Sequence, residues 1–418
     1  MKKIFFLTFL GLITYNALSQ EIIIIPNDSE WNDNYRNPIT TAVPFAQIAG
    51  DARSAGLADM GVATSSDAFS QQWNASKYAF AISKQGVGVT YTPYLSSLVN
   101  DIFLGNLTYY NRINERSAVG ASLRYFSLGD IEAREDIIQE PLILSPNELL
   151  FDLSYSIRLD DRFSMGITGR YLRSDLKLQV SQEDASAGNS FAVDVSGYYQ
   201  SEEVAYDSFD GRWRGGFNIS NIGPKMKYDD VSEGSFVPTK LALGGGFDFI
   251  LDEYNKIGVN VEFTKLLVPT PPIRGTEFLD LNGNGELDLL DEDGNIYETV
   301  IDSDAIYAGK DPDVSFFKGM TQSFGDAPNG FSEELTEVTW AIGAEYWFRD
   351  VFAFRAGYFN EHESKGARKY MTLGAGFKYT TIVIDLSYLI STSTVVSPLE
   401  GTLRFGLTFN FGDEYDEY

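Results

Sequence analysis

The chain of 418 residues has no cysteine, one histidine, five tryptophans, and only 32 Lys and Arg against 59 Asp and Glu. Each shortage removes a class of function. Without thiols there is no cysteine nucleophile, no cysteine-ligated zinc and no protein-held iron–sulfur cluster. A single histidine rules out a His-x-x-x-His zinc site. A net charge of −27 repels phosphate backbones, so nucleic acid is not an expected partner. Beyond its first twenty residues the chain also lacks any apolar run of the roughly 17–25 residues that a membrane-spanning helix needs. Phe (30), Tyr (24) and Gly (38) are abundant instead, a composition of strands and turns.

Lys2 and Lys3, the apolar run Ile4 to Tyr15 and the segment Ala17-Leu18-Ser19 have the form of a secretory signal peptide over residues 1–19, cleaved before Gln20. The run is too short for a membrane anchor. An exported chain without spanning helices is either soluble or a closed barrel, the other structure that satisfies every backbone group in lipid.

Periodicity favours the barrel. Leu149, Phe151, Leu153, Tyr155, Ile157 and Leu159 alternate with Asp152, Ser154, Ser156 and Arg158. Val338, Trp340, Ile342, Ala344, Tyr346 and Phe348 repeat the pattern opposite Thr339 and Glu345, and Ile382 to Ile390 repeat it around Asp385. Apolar residues at every second position over about ten residues, with charges between them, suit a wall that faces lipid outside and a polar lumen inside. About fourteen such segments run from 78–91 to 401–411. Tight connections at Asp160-Asp161, Leu251 to Asn255 and Arg349-Asp350 alternate with long ones at 128–148, 174–189, 222–238, 267–335 and 392–400. That is the barrel rule of short periplasmic turns and longer external loops. The link 201–211 is longer than the rule expects. A soluble β-sandwich shares the alternation but not the loop lengths. The predicted fold is all-β: an outer-membrane barrel of about 14 antiparallel strands with an N-terminal luminal plug. Its expected lipid face includes Phe151, Tyr155, Trp340, Tyr346, Phe409 and Phe411.

In the last segment Arg404, Gly406, Phe409 and Phe411 fit the polar-x-Gly-x-x-aromatic-x-aromatic pattern by which such barrels are recognised during assembly, followed by a tail, 412–418. Before the first segment lie Pro44-Phe45-Ala46-Gln47-Ile48, the run Asp51 to Thr64 with Asp51, Arg53, Gly56, Asp59 and Gly61, and Gln72-Trp73-Asn74-Ala75-Ser76-Lys77. This signature resembles the N-terminus of the FadL-like outer-membrane fatty-acid transporter superfamily, and within it is most similar to the PorV (LptO) family of the type IX secretion system. The family tends to Asn-Pro-Ala where this chain has Asn74-Ala75-Ser76. The resemblance implies a fourteen-stranded barrel whose pre-barrel segment packs in the lumen as a hatch. It divides the chain into a periplasmic N-terminal extension 20–43, a hatch 44–77, a barrel 78–411 with a long acidic external loop 267–335, and a periplasmic tail. The implied partners are a SprA-like outer-membrane translocon, a PorU-like surface signal peptidase with its attachment complex, the C-terminal domains of secreted cargo, and outer-membrane lipid.

Asp280, Asn282, Asn284, Glu286, Asp288 and Asp291 follow the Asp-x-Asn-x-Asn-Gly calcium loop, with Gly285 at the sharp turn and Asp where Glu usually closes the site. A structural Ca²⁺ is therefore possible, and no cofactor is required. No catalytic constellation is legible: His362, between Glu361 and Glu363, is a lone loop histidine. Three classes remain. The first is a secretion component that binds sorting domains and hands them from translocon to attachment complex. The second is a transporter of hydrophobic small molecules, and the third an enzyme working through His362.

Overall fold

The computed structural model describes residues 21–27, 36–95, 101–133, 141–176, 186–229, 234–280, 299–393 and 397–415. The expected signal peptide lies outside them. Fourteen strands build the wall: β1 (Ser83–Pro93), β2 (Ile102–Arg112), β3 (Ser117–Leu128), β4 (Asn147–Asp160), β5 (Phe163–Asp175), β6 (Gly188–Gln200), β7 (Asp210–Ile222), β8 (Lys240–Ile250), β9 (Asn255–Leu266), β10 (Thr339–Phe348), β11 (Phe352–Asn360), β12 (Lys369–Tyr379), β13 (Ile382–Ser391) and β14 (Leu403–Glu414). Each pairs antiparallel with its sequence neighbour, and the wall closes where Phe405 to Glu414 of β14 lie against Tyr91 to Ser83 of β1.

The alternation read from the sequence sets which way each side chain points. Phe151, Tyr155, Trp340, Phe409 and Phe411 are exposed on the outer surface and Tyr346 is half-buried there, whereas Asp152, Ser156, Glu345 and Asp385 are buried inside. The chain reverses between β10 and β11 over Arg349 to Val351, with Phe348 opposite Phe352; Arg349 and Asp350 both lie in the left-handed backbone region (φ 56° and 52°), as a type I′ turn requires. The long link after β6 has a simple cause: Val204-Ala205 pairs with Gly211-Asp210, so the hairpin continues past the wall.

Residues 42–82 occupy the lumen. They run from the long-connection end, where the Ala42 N–H donates to Phe236 O at 2.8 Å, to the tight-turn end, where Arg112 Nη1 donates to Ala81 O at 2.6 Å. The N–H of Asn37 donates to Ser364 O in the connection 361–368, so residues 36–43 lie at the same end of the barrel as that connection. The first wall strand begins at Ser83, not at 78, because Ala75–Phe80 is a 3-10 helix. Tyr78 and Phe80 imitate strand alternation but pack inward, on Tyr110 and Tyr198 with ring centroids 4.9 and 5.5 Å apart. At the other terminus Gly412 to Glu414 extend β14 beyond the expected limit of 411.

The loop 267–335 contains more than the sequence led us to expect. In its part belonging to the barrel unit, two short helices, Phe316–Gln322 and Phe331–Thr336, follow residue 309. A separate compact unit contains the strands Ile273–Asp280 and Thr299–Ala308, with Glu21–Pro26 pairing on the former. These strands escape a period-two reading. Glu21–Pro26 is a continuous isoleucine run, and the Ile273–Asp280 and Thr299–Ala308 pairing shifts register at three places. Among the described residues no helix is long and apolar enough to cross a membrane.

Candidate functional site

The signature residues meet inside the barrel. Asp51 caps the short helix Ala52–Gly56 by accepting the Ser54 N–H at 2.7 Å, and its second oxygen accepts Trp73 Nε1–H at 2.8 Å. One carboxylate thus joins the two halves of the motif. Arg53 forks onto Glu345 of β10, Nη2 to Oε2 at 2.8 Å and Nε to Oε1 at 3.2 Å, while its Nη1 reaches Asp67 at 2.7 Å. Glu345 also accepts Arg355 Nε–H at 2.9 Å, and Arg355 continues to Asp385 at 2.7 Å. Asp59, held at φ 58°, accepts Tyr370 O–H at 2.6 Å and Arg404 Nη1–H at 3.1 Å.

The glycines serve close approach. A Cβ on Gly61 would lie 2.2 Å from the Trp73 ring, and one on Gly56 would lie 3.1 Å from Gly374 Cα. Gly61 N–H and Val62 N–H donate to a single oxygen of Glu262, each at 3.0 Å. Asn74 Nδ2 spans Val62 O and Gly197 O, both at 2.9 Å, while Asn74 Oδ1 caps the 3-10 helix through the Ser76 N–H. Of the residues matched to the assembly pattern, Phe409 and Phe411 face outward; Arg404 is buried on Asp59, and Gly406 faces Ala52. The latter two positions therefore also hold the plug.

On the opposite wall Arg170 bridges Asp152 (2.6 Å) and Asp194 (3.0 Å). Nearer the external end the lumen turns apolar: Val43 and Phe45 of the plug pack with Leu104, Phe126, Leu150, Leu172, Met226 and Val237, and Phe45 stacks on Phe126. The plug's own side chains fill this chamber.

The connection after residue 309 is anchored from beneath. Lys265 pairs with Glu334 (3.0 Å) and Glu337 (2.5 Å), and Lys365 pairs with Glu333 (2.5 Å) and Glu337 (3.0 Å). Glu334 also accepts the Asp326 and Ala327 N–H groups. Burial pushes the Asp326 carboxyl up to about 6; the Thr270 N–H opposes this, and the Glu334 and Glu337 carboxylates add to it. Above this frame Phe317 and Phe331 are exposed, by 64% and 76%.

Of the calcium-loop residues only Asp280 lies within the described residues, buried at the end of its strand and paired in register with Glu21. Asn282, Asn284, Glu286, Asp288 and Asp291 lie outside them. Among the described residues no group of three or more His, Cys, Asp or Glu could hold a metal ion. His362 is exposed, its Nδ1 2.8 Å from Ser364 Oγ. Sequence reasoning placed Glu345, Asp152 and Asp385 in the lumen by parity, but missed their partners Arg53, Arg355 and Arg170 because pairing across the lumen leaves no mark in linear spacing.

A closed fourteen-stranded wall with an apolar outer face and a polar, plugged lumen defines an outer-membrane protein that crosses by strands. The family profile described as Type IX secretion system protein PorV matches residues 31–273. The chain belongs to the PorV family. Solved structures with a similar course include the Ralstonia pickettii toluene transporter TbuX, 11% identical, covering 88% of this chain and 100% of that one with a TM-score of 0.45. A Pseudomonas aeruginosa FadL homologue is also 11% identical, covering 90% and 100% with a TM-score of 0.42. No curated protein matches the chain.

Proposed function

We propose that the protein is an outer-membrane component of the type IX secretion system that binds the C-terminal sorting domains of exported proteins and passes them from a SprA-like translocon to a PorU-like attachment complex. It performs no chemistry of its own. The observation that carries this reading is the threaded plug. A segment tied by Arg53, Asp59, Asn74 and Glu262 to strands around the wall fills the modest channel that roughly fourteen strands enclose. A polypeptide cannot pass it, so the protein acts beside a larger channel through its external face. The alternative, transport of hydrophobic small molecules, is disfavoured because Val43, Phe45 and Met226 already fill the apolar chamber.

Deleting the gene should trap several exported proteins in the periplasm with sorting domains uncleaved, while His362→Ala leaves export unchanged. Intact secretion with lost uptake of a hydrophobic nutrient would make the transporter reading the right one. The loop Asp280 to Asp291 is a calcium site in this reading, on the Asp-x-Asn-x-Asn-Gly spacing of its sequence. Calorimetry on the detergent-purified protein, with Asp280→Ala as control, tests it.

A further inference from the structure

The sheet of Glu21–Pro26, Ile273–Asp280 and Thr299–Ala308 has two outer edges of unlike character. Edge strands present unpaired N–H and C=O groups, and natural proteins blunt them with charges, bulges or cover. The Thr299–Ala308 edge is blunted: Asp302 and Asp304 interrupt it, and its pairing slips register three times. The Glu21–Pro26 edge is not. It pairs residue for residue from Glu21–Asp280 to Pro26–Gly275 without a slip. Ile22-Ile23-Ile24-Ile25 carries no charge, and Ile22 is 58% exposed. Among the described residues no strand covers its outer side. An uninterrupted apolar edge of this kind is a template for one more strand.

Charge selects the occupant. Among the described residues of this unit, Glu21, Glu277, Asp280, Asp302 and Asp304 stand against one base, Arg274. A second copy would bring the same charge to the same edge and be repelled, whereas a cationic strand would be drawn in. We propose that Glu21–Pro26 is a docking strand on which an extended, Lys- or Arg-rich segment of another polypeptide adds as a fourth strand. The proposal rests on the protein-binding reading above and supplies its place and chemistry.

Deuterium exchange on the full-length, detergent-purified protein tests it, with a synthetic peptide of about ten alternating Lys and Val residues as probe. At about 50 mM salt the amides of residues 21–26 should exchange roughly tenfold more slowly with peptide, and return toward their free rates at about 500 mM. A Glu–Val peptide and a fully N-methylated Lys–Val peptide should give no protection. Ile22→Lys should abolish protection and Ile22→Glu should keep it. Protection by neither charge, by both charges equally, or by the methylated peptide overturns the proposal. So does loss of protection in both variants alike, and so does concentration-dependent protection without peptide, which would assign the edge to a second copy. The secretion reading fails separately: export that survives gene deletion sinks it without touching the exchange result.

Discussion

The lumen and the three-stranded sheet are both rich in acid, and they treat it in opposite ways. In the lumen Asp59, Asp152, Asp194, Glu345 and Asp385 each meet an arginine: Arg404, Arg170, Arg53 or Arg355. Unpaired, each buried ion would cost several kcal/mol; Arg53–Glu345 and Arg404–Asp59 tie the plug to the wall, and the others join wall strands to each other. Among the described residues of the sheet unit Arg274 is the one base beside Glu21, Glu277, Asp280, Asp302 and Asp304, and its pair with Asp304 is exposed. Paired acid there gives way to a standing negative field. The first arrangement fixes the chain to itself; the second leaves it attractive to something else.

The comparison breaks most visibly at Arg355. Arg355→Ala leaves Glu345 sharing only Arg53 and strips Asp385 of its partner, and should lower stability by about 3–5 kcal/mol, read as thermal unfolding in detergent. Replacing Asp385 as well by an apolar residue, which leaves Glu345 paired with Arg53, should recover part of the loss. If the single variant were neutral, the lumen charges would not be structural. Gly61→Ala probes the same region without charge: its Cβ would press on Trp73, and overpacking of this kind should cost about 1–3 kcal/mol.

The connection after residue 309 is an intermediate case, with Glu333, Glu334 and Glu337 served by Lys265 and Lys365 and Asp326 accepting the Thr270 N–H. The folded value of Asp326, about 6, lies above the ordinary value of about 4. The folded state therefore holds the proton more tightly, and stability present at low pH is lost as pH rises through 6. Amide exchange over residues 309–338, corrected for its intrinsic pH dependence, should speed up severalfold from pH 4 to 7. Asp326→Asn should flatten that rise; an unchanged slope in the variant would assign the effect elsewhere.

Both regions were unequally legible in the sequence. Lipid-facing Phe151 and luminal Asp152 declare themselves, because in a strand parity alone decides direction. The hatch motif was recognisable as residues but not as geometry: nothing in the spacing of Asp51 and Trp73 says that one accepts the other's indole N–H. Tyr78 and Phe80 misled, since alternate aromatics look alike on a wall and on a luminal helix. Glu21–Pro26 stayed hidden because four successive isoleucines have no period, and its partner lies some 250 residues away in sequence.

The smallest expected effect is also the sharpest test of the contrast. Arg274 Nη1 lies 3.0 Å from Asp304, and the side chains are 42% and 71% exposed. Such a pair contributes about 0–1 kcal/mol, so Arg274→Ala should shift unfolding barely at all, against the large loss at Arg355. It does remove the one positive charge among the sheet unit's described residues. Attraction for the Lys–Val peptide should then rise about two- to fivefold at low salt, and the gain should vanish near 0.5 M, where screening leaves a reach of only a few ångströms. Equal peptide affinity in parent and variant at low salt would mean that the acids around Glu21–Pro26 act locally with solvent, and that charge does not choose the partner.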